Sequence, residues 1–324
     1  MSKKRSIFED VGSDSKETVS ATVGVIDKAP KGARGMIKSW LILIFLLIGA
    51  NVLLGVLNRK GAMGPDQVFW AAFAVWAVGF VGFLAAKRLP VGWMGRMICT
   101  GVLTGLLALT GWWDATFNGV AHIGEVQSYK LLFQRGLGFA AMGVVVWYIM
   151  QLSRSEADMM TARRARHKRL WVLSAVLVVL AMLQILRGGI LAGVSEADAF
   201  TDWPLIEGQI IPAGLFVMEP IWANPFENPV LAQFCHRISG FILLLFGIYI
   251  WFRSRKNGGS ATRRAYSLVL LMLVVQFGLG AAAVMTAGWW HGALAFQVGA
   301  ILLWVLILRA RFLTGYPANQ SVRD

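Results

Sequence analysis

Residues 230–252 read VLAQFCHRISGFILLLFGIYIWF, an apolar run broken near its start by Gln233, His236, Arg237 and Ser239. Wound as a helix at 1.5 Å per residue, the run is about 34 Å long, enough to cross a hydrocarbon core of roughly 30 Å. A chain inside that core has no water to bond its N–H and C=O groups, so it must be helical. An ionisable pair such as His236-Arg237 is expensive at that depth and is a functional candidate.

The same reading extends in both directions. Apolar runs cover Trp40–Leu57, Val68–Ala86, Met97–Trp113, Leu131–Leu152, Leu170–Gly193, Ser267–Met285 and Trp290–Leu308, each long enough, or nearly so, to span. With 230–252 this predicts an all-α, polytopic membrane protein of eight transmembrane helices. Composition agrees: 57% of the 324 residues are hydrophobic and 15% charged, whereas soluble domains are about 25% charged.

The net charge of +14 belongs to the connections and calls for no nucleic acid. Basic residues gather before the first span (Lys3, Lys4, Arg5, Lys28, Lys31, Arg34, Lys38) and in the second connection (Lys87, Arg88, Arg96). They gather again in the fourth (Arg154, Arg163, Arg164, Arg166, Lys168, Arg169) and the sixth (Arg253, Arg255, Lys256, Arg263, Arg264). The alternate connections are poor in them. The longest, 194–229, has none and carries Glu196, Asp198, Asp202, Glu207, Glu219 and Glu227. The positive-inside rule then places both termini in the cytoplasm and 194–229 in the periplasm. The polar, basic stretch Met1–Lys38 lacks an apolar core followed by a small-residue cleavage site and reads as a disordered cytoplasmic tail, not a signal peptide. Cys99 and Cys235 sit in apolar segments without metal-type spacing.

Four histidines are present. His167 lies in the basic fourth connection and reads as a solvated surface residue. His122, near Glu125, reads as a loop residue with a proton-relay or metal role as the alternative. His291 follows Trp289-Trp290, where interfacial aromatics are expected. His236 lies inside a span. A hydrogen bond to a neighbouring helix would account for it; imidazole is also a natural axial ligand for haem iron, with Arg237 beside it able to reach towards a propionate. Arg135 and Arg187 also lie in apolar segments, where snorkelling to the interface or lining a polar cavity would explain them. A faint repeat pairs Phe133-Gln134-Arg135-Gly136 with Phe296-Gln297-Val298-Gly299. Two four-helix halves of the same topology would produce it, and so would chance in apolar sequence.

The stretch Asp202-Trp203-Pro204-Leu205-Ile206-Glu207-Gly208, then Asn224-Pro225-Phe226-Glu227-Asn228 and Gln233-Phe234-Cys235-His236-Arg237, resembles haem A synthase, closest to the alphaproteobacterial and mitochondrial branch. The likeness extends to Gly111-Trp112-Trp113, Gln127-Ser128-Tyr129-Lys130-Leu131 and Trp304–Phe312. It implies two pseudo-symmetric four-helix bundles, each with a haem-type site near the periplasmic side held by paired histidines. The C-terminal site keeps haem b; the N-terminal site oxidises a ring methyl of haem O to a formyl group, giving haem A for cytochrome oxidase. On this pattern, 1–38 is the tail, 39–153 the N-terminal half, 154–169 a cytoplasmic linker, 170–312 the C-terminal half with its periplasmic loop 194–229, and 313–324 a cytoplasmic tail.

Three of the four implied histidine positions are replaced, by Pro65, Gln134 and Phe296; His236 alone remains. His291 is five residues from position 296, about 140° around the helix and roughly 7 Å along it. The family's long first periplasmic loop, with its functional glutamate, is reduced to about Asn58–Gln67, which has no glutamate. The resemblance therefore implies an inner-membrane protein of haem A biosynthesis with one single-histidine haem b. His236 would be the iron ligand and Arg237 a cofactor-binding residue, with no catalytic residue assigned. The alternative is a non-catalytic paralogue that binds haem or assists oxidase assembly. Implied partners are haem O as substrate, haem O synthase or oxidase assembly proteins, and the bilayer; a homo-oligomer is compatible. Arg135 is expected to pair with Asp66, Asp114 or an anionic ligand, with Phe69, Trp70 and Phe133 filling the volume between the second and fourth helices.

Overall fold

A computed structural model describes residues 33–59, 69–117, 127–194, 200–287 and 289–318. The helices are α1 (Ala33–Arg59), α2 (Phe69–Ala85), α3 (Met94–Phe117), α4 (Gln127–Leu152), α5 (Glu156–Arg164), α6 (Lys168–Gly193), α7 (Asn224–Glu227), α8 (Pro229–Asn257), α9 (Ser260–Met285) and α10 (Trp290–Gly315), with a 3₁₀ turn at Ile221–Ala223. Among the described residues there is no strand, only an isolated bridge between Ile206 and Gln209. Seven helices (α1, α3, α4, α6, α8, α9, α10) are long and apolar enough to cross a membrane, and Trp70–Ala85 of α2 is a shorter apolar helix. The chain is a multi-pass, all-helical membrane protein. The fourth connection contains a helix, α5, capped by Ser155, whose side chain accepts from Asp158 N.

Helix α1 packs against α2 and α4, and α3 also touches both. In the same way α6 packs against α8 and α10, and α9 touches both. The two sets meet where α4 lies on α6 and α10, and α10 on α1. Lipid tails offer no hydrophobic force between helices, so close backbone approach and hydrogen bonds carry the packing. Three indoles do this alike, each donating to a carbonyl of a neighbouring helix: Trp40 to Val75 (2.9 Å), Trp76 to Met97 (2.9 Å) and Trp304 to Phe139 (2.9 Å). Gly143 makes room for the last; a Cβ there would lie 3.1 Å from the Trp304 nitrogen. At the α4–α6 crossing, a Cβ on Gly189 would come within 2.9 Å of Leu132 Cα, so glycine sets how closely these helices approach.

The expected filling between α2 and α4 is corrected. Trp70 is 45% and Phe133 64% exposed, on outward faces. Helices α2 and α4 lie diagonally, each reaching the other through α1 and α3, and Trp70 and Phe133 sit on the faces turned away from those neighbours. The Phe69 side chain, Pro65, Asp66, His122 and most of the 58–67 loop lie outside the described residues, as does the Asp114 side chain.

Candidate functional site

Helix α8 starts with Asn228 as its cap, Oδ1 accepting from Val230 N (2.9 Å) and Leu231 N (3.2 Å), and Pro229 at the first turn. Proline suits that position because its missing N–H would have had no helical partner. His236 follows seven residues later, about 10 Å along the helix. Gln184 lies nine residues before the end of α6, Gln276 nine before the end of α9, and Phe296 six after the start of α10. Four helices thus bring these side chains to similar depth around a cavity of about 510 Å³. That is within the usual range of about 300–1,000 Å³ for small-molecule sites. The walls are mainly apolar, with Phe139, Leu243, Leu273 and Trp304 among them; Gln184, Gln233, Gln276, Gln297, His236, Arg135 and Arg237 supply the polar lining.

The His236 imidazole is steered from α6. Gln184 Nε2 lies 3.4 Å from both ring nitrogens and donates to the His236 carbonyl at 3.2 Å. The Gln184 carbonyl in turn accepts from Ser239 Oγ, which also reaches the His236 carbonyl at 3.1 Å. Amide N equidistant from both ring nitrogens sits over the ring rather than at its edge, so neither nitrogen is consumed by a short in-plane bond. Gly188 leaves the space: a Cβ there would meet His236 Cε1 at 3.4 Å and Arg135 Nη1 at 3.7 Å. Across the cavity stands Phe296, its ring centroid 6.5 Å from that of His236 at an interplanar angle of 68°.

Arg135 comes from α4, in the other set of helices, yet lines this cavity, donating from Nη1 to the Gly188 carbonyl at 2.8 Å. Arg237 is 9% exposed and turns to the α6–α8 loop. Its Nη1 donates to the carbonyls of Leu205 (2.6 Å) and Asp202 (2.8 Å), with Pro204 O at 3.5 Å; Nη2 donates to Phe200 O (3.2 Å) and Nε to Gln233 Oε1 (3.2 Å). The loop is also held by two buried asparagines. Asn224 bonds Met218 and Ile221, while Asn228 Nδ2 reaches Gly214 O (2.8 Å) and Asn224 Oδ1 (3.0 Å). Tyr129 of α4 donates to Glu227 (2.9 Å) and stacks on Phe226. The Asn-Pro-Phe-Glu-Asn stretch is thus a hub fixing loop, α8 and α4 together.

His236 and Arg237 therefore share one cavity. His291 does not join them: it is exposed at the start of α10, its ring 3.3 Å from that of Trp290. His167 caps α6, Nδ1 accepting from Leu170 N at 3.3 Å. Among the described residues no group of three or more His, Cys, Asp or Glu can hold a metal ion. His236 is then the cavity residue able to bind iron, through one imidazole nitrogen. Gln184 and Gln276 escaped the sequence reading, which weighed charges and histidines; amides set inside apolar spans were the available signal.

The profile of the COX15-CtaA family, cytochrome oxidase assembly protein, matches residues 69–308. Haem A synthase of Ruegeria sp. (strain TM1040) is 37% identical over 378 aligned positions, covering 98% of this chain and 99% of the relative. That of Paracoccus denitrificans (strain Pd 1222) is 34% identical over 375 positions, covering 99% and 98%. That of Jannaschia sp. (strain CCS1) is 43% identical over 256 positions, covering 78% and 68%. The 378 positions exceed the 324 residues of this chain by 54, so the Ruegeria relative carries segments with no counterpart here. Profile and relatives together cover the helices, the loop and the cavity: the chain belongs to the haem A synthase family.

Proposed function

We propose that this chain acts in haem A biosynthesis in the inner membrane, and that its C-terminal half holds one haem b through His236. The observation that carries the reading is His236 on the wall of an apolar cavity of about 510 Å³, with no short bond to either ring nitrogen. The donor set fits one axial bond. Phe296, opposite, has no lone pair to give a second. Arg237 uses four of its five N–H groups on the loop and Gln233; the fifth, on Nη2, is the one a propionate takes. Gln184 orients the imidazole, and Arg135 adds positive charge beside Gly188. When bound, the haem supplies one-electron chemistry.

The matching neighbour order of α1–α4 and of α6, α8, α9 and α10 supports eight spans in two pseudo-symmetric halves. Loop charge supports cytoplasmic termini. The reaction that the family resemblance implies is oxidation of the haem O methyl to formyl, in keeping with relatives named haem A synthase. A second reading, a non-catalytic paralogue that binds haem or serves oxidase assembly, is favoured by Gln134 and Phe296 in place of ligands and by the shortened sequence. Two measurements decide. The purified protein should show a Soret band; a colourless protein sinks the haem assignment. Expression with haem O synthase in a host lacking any other haem A synthase, then pigment extraction, separates the readings. Haem A in the extract supports catalysis, and haem O alone supports the paralogue.

A further inference from the structure

Arg237 has a task that does not depend on any bound group. The loop after α6 returns over the cavity mouth, and Phe200 and Trp203 join its lining. Trp203 rests edge-on against Phe277 of α9 (5.7 Å between centroids), and Phe277 in turn meets Phe241 of α8. The segment 200–205 is irregular backbone close to the helix ends of a membrane bundle. Carbonyls there need donors, because unsatisfied backbone is tolerated poorly next to lipid. Within that segment Phe200, Asp202, Pro204 and Leu205 all present their carbonyls to one guanidinium, that of Arg237. Arginine suits this because its planar fork offers five fixed donors and keeps its charge. Gln233, one turn earlier on α8, accepts from Nε and fixes the fork's direction. Beyond the segment, the Glu207-Gly208 turn closes with two backbone bonds between Ile206 and Gln209, and Ile206 is tucked in at 2% exposure.

We propose that residues 200–205 form a lid over the His236 cavity and that Arg237 is its positioning residue, anchoring the lid on α8 while Trp203 carries it across to α9. Ligand exchange through the loop face then requires release of the carbonyls from the guanidinium. Charge alone does not do this work; the fork does.

The test uses the full chain in lipid nanodiscs, where both faces are open to reagent. Cys99 and Cys235 are replaced by Ser, and Ile206→Cys provides a buried thiol at the end of the lid. Labelling by a charged maleimide should be slow in this background and rise about ten-fold with Arg237→Gln, because charged hydrogen bonds to the loop are lost. Arg237→Lys, with the charge but not the fork, should give a smaller rise, about three-fold. Trp203→Ala, which leaves the guanidinium bonds in place, should also open the lid less than Arg237→Gln. Elution of each variant as a single species in detergent shows that it folds. If Arg237→Gln does not accumulate, the Lys variant carries the test. Parent-like labelling in the Arg237 variants overturns the proposal, as does opening by Trp203→Ala equal to that by Arg237→Gln. A colourless protein with these labelling rates would remove the haem assignment and leave the lid standing.

Discussion

The two sets of helices fill their interiors in different ways. Around α1–α3 the space goes to indoles: Trp40 and Trp76 bond across to Val75 and Met97, and Phe73, Trp76 and Phe80 stack at 5.5 and 5.1 Å. The buried amide there is Asn51, 4% exposed, whose Nδ2 has no partner among the described residues. Around α6, α8, α9 and α10 the inner face instead presents His236 and four glutamines to a cavity. Gln276 Oε1 is left without a partner, and Gln276 Nε2 donates to the Phe296 carbonyl at 2.8 Å. One neighbour order of helices thus supports a packed interior or a polar-lined one, and side-chain choice at a few depths decides between them. A large aromatic side chain contributes most when its area is buried and its N–H is paired. A buried amide without a partner costs about 1–3 kcal/mol and persists where something else uses it.

The contrast is broken most directly at His236. His236→Ala should remove all haem absorbance from the purified protein, since among the described residues His236 is the histidine that lines the cavity. A residual Soret band of about half the parent's would show a second site and end the comparison. In the parent, the spectrum should be that of a single-histidine haem, and Phe296→His should move it towards a low-spin, two-histidine form. A smaller effect separates neighbouring glycines on α6. Gly189→Ala should destabilise the protein by about 1–3 kcal/mol through overpacking, because its Cβ meets the backbone of Leu132. Gly188→Ala should be nearly neutral in thermal unfolding in detergent, because its Cβ finds ordinary contacts with His236 and Arg135. Equal losses at both would mean that α4 and α6 are not fixed where they cross. The smallest effect belongs to the packed half: Trp76→Phe should cost about 1 kcal/mol for the lost indole bond to Met97. A loss several times larger would mark that indole as structural to more than its own contact.

Much of this was legible in residue order. The spans follow from apolar run length, and α8 could be placed from 230–252 together with its Asn-Pro start. His236 and Arg237 stand out because ionisable groups in an apolar run are rare. Gln184, Gln276 and Gln297 were equally visible letters, but an amide in a span carries no formal charge, and nothing local says whether it faces lipid, a neighbouring helix or a cavity. The outward placement of Trp70 and Phe133 was likewise hidden, since an aromatic near a helix end suits the interface as well as the core.

What the sequence by itself determined is helicity, the places of the apolar segments and the alternation of basic connections, because each depends on one segment meeting the bilayer. The tertiary structure decided which helix faces meet. It brought Arg135 from α4 to Gly188 of α6, set Phe296 opposite His236, and joined Arg237 at the cavity wall to the carbonyls of 200–205. These partners lie between 32 and 60 residues apart in the chain. Their meeting depends on helix rotation and loop path, which local hydropathy does not encode, since a helix turned about its axis keeps the same apolar length.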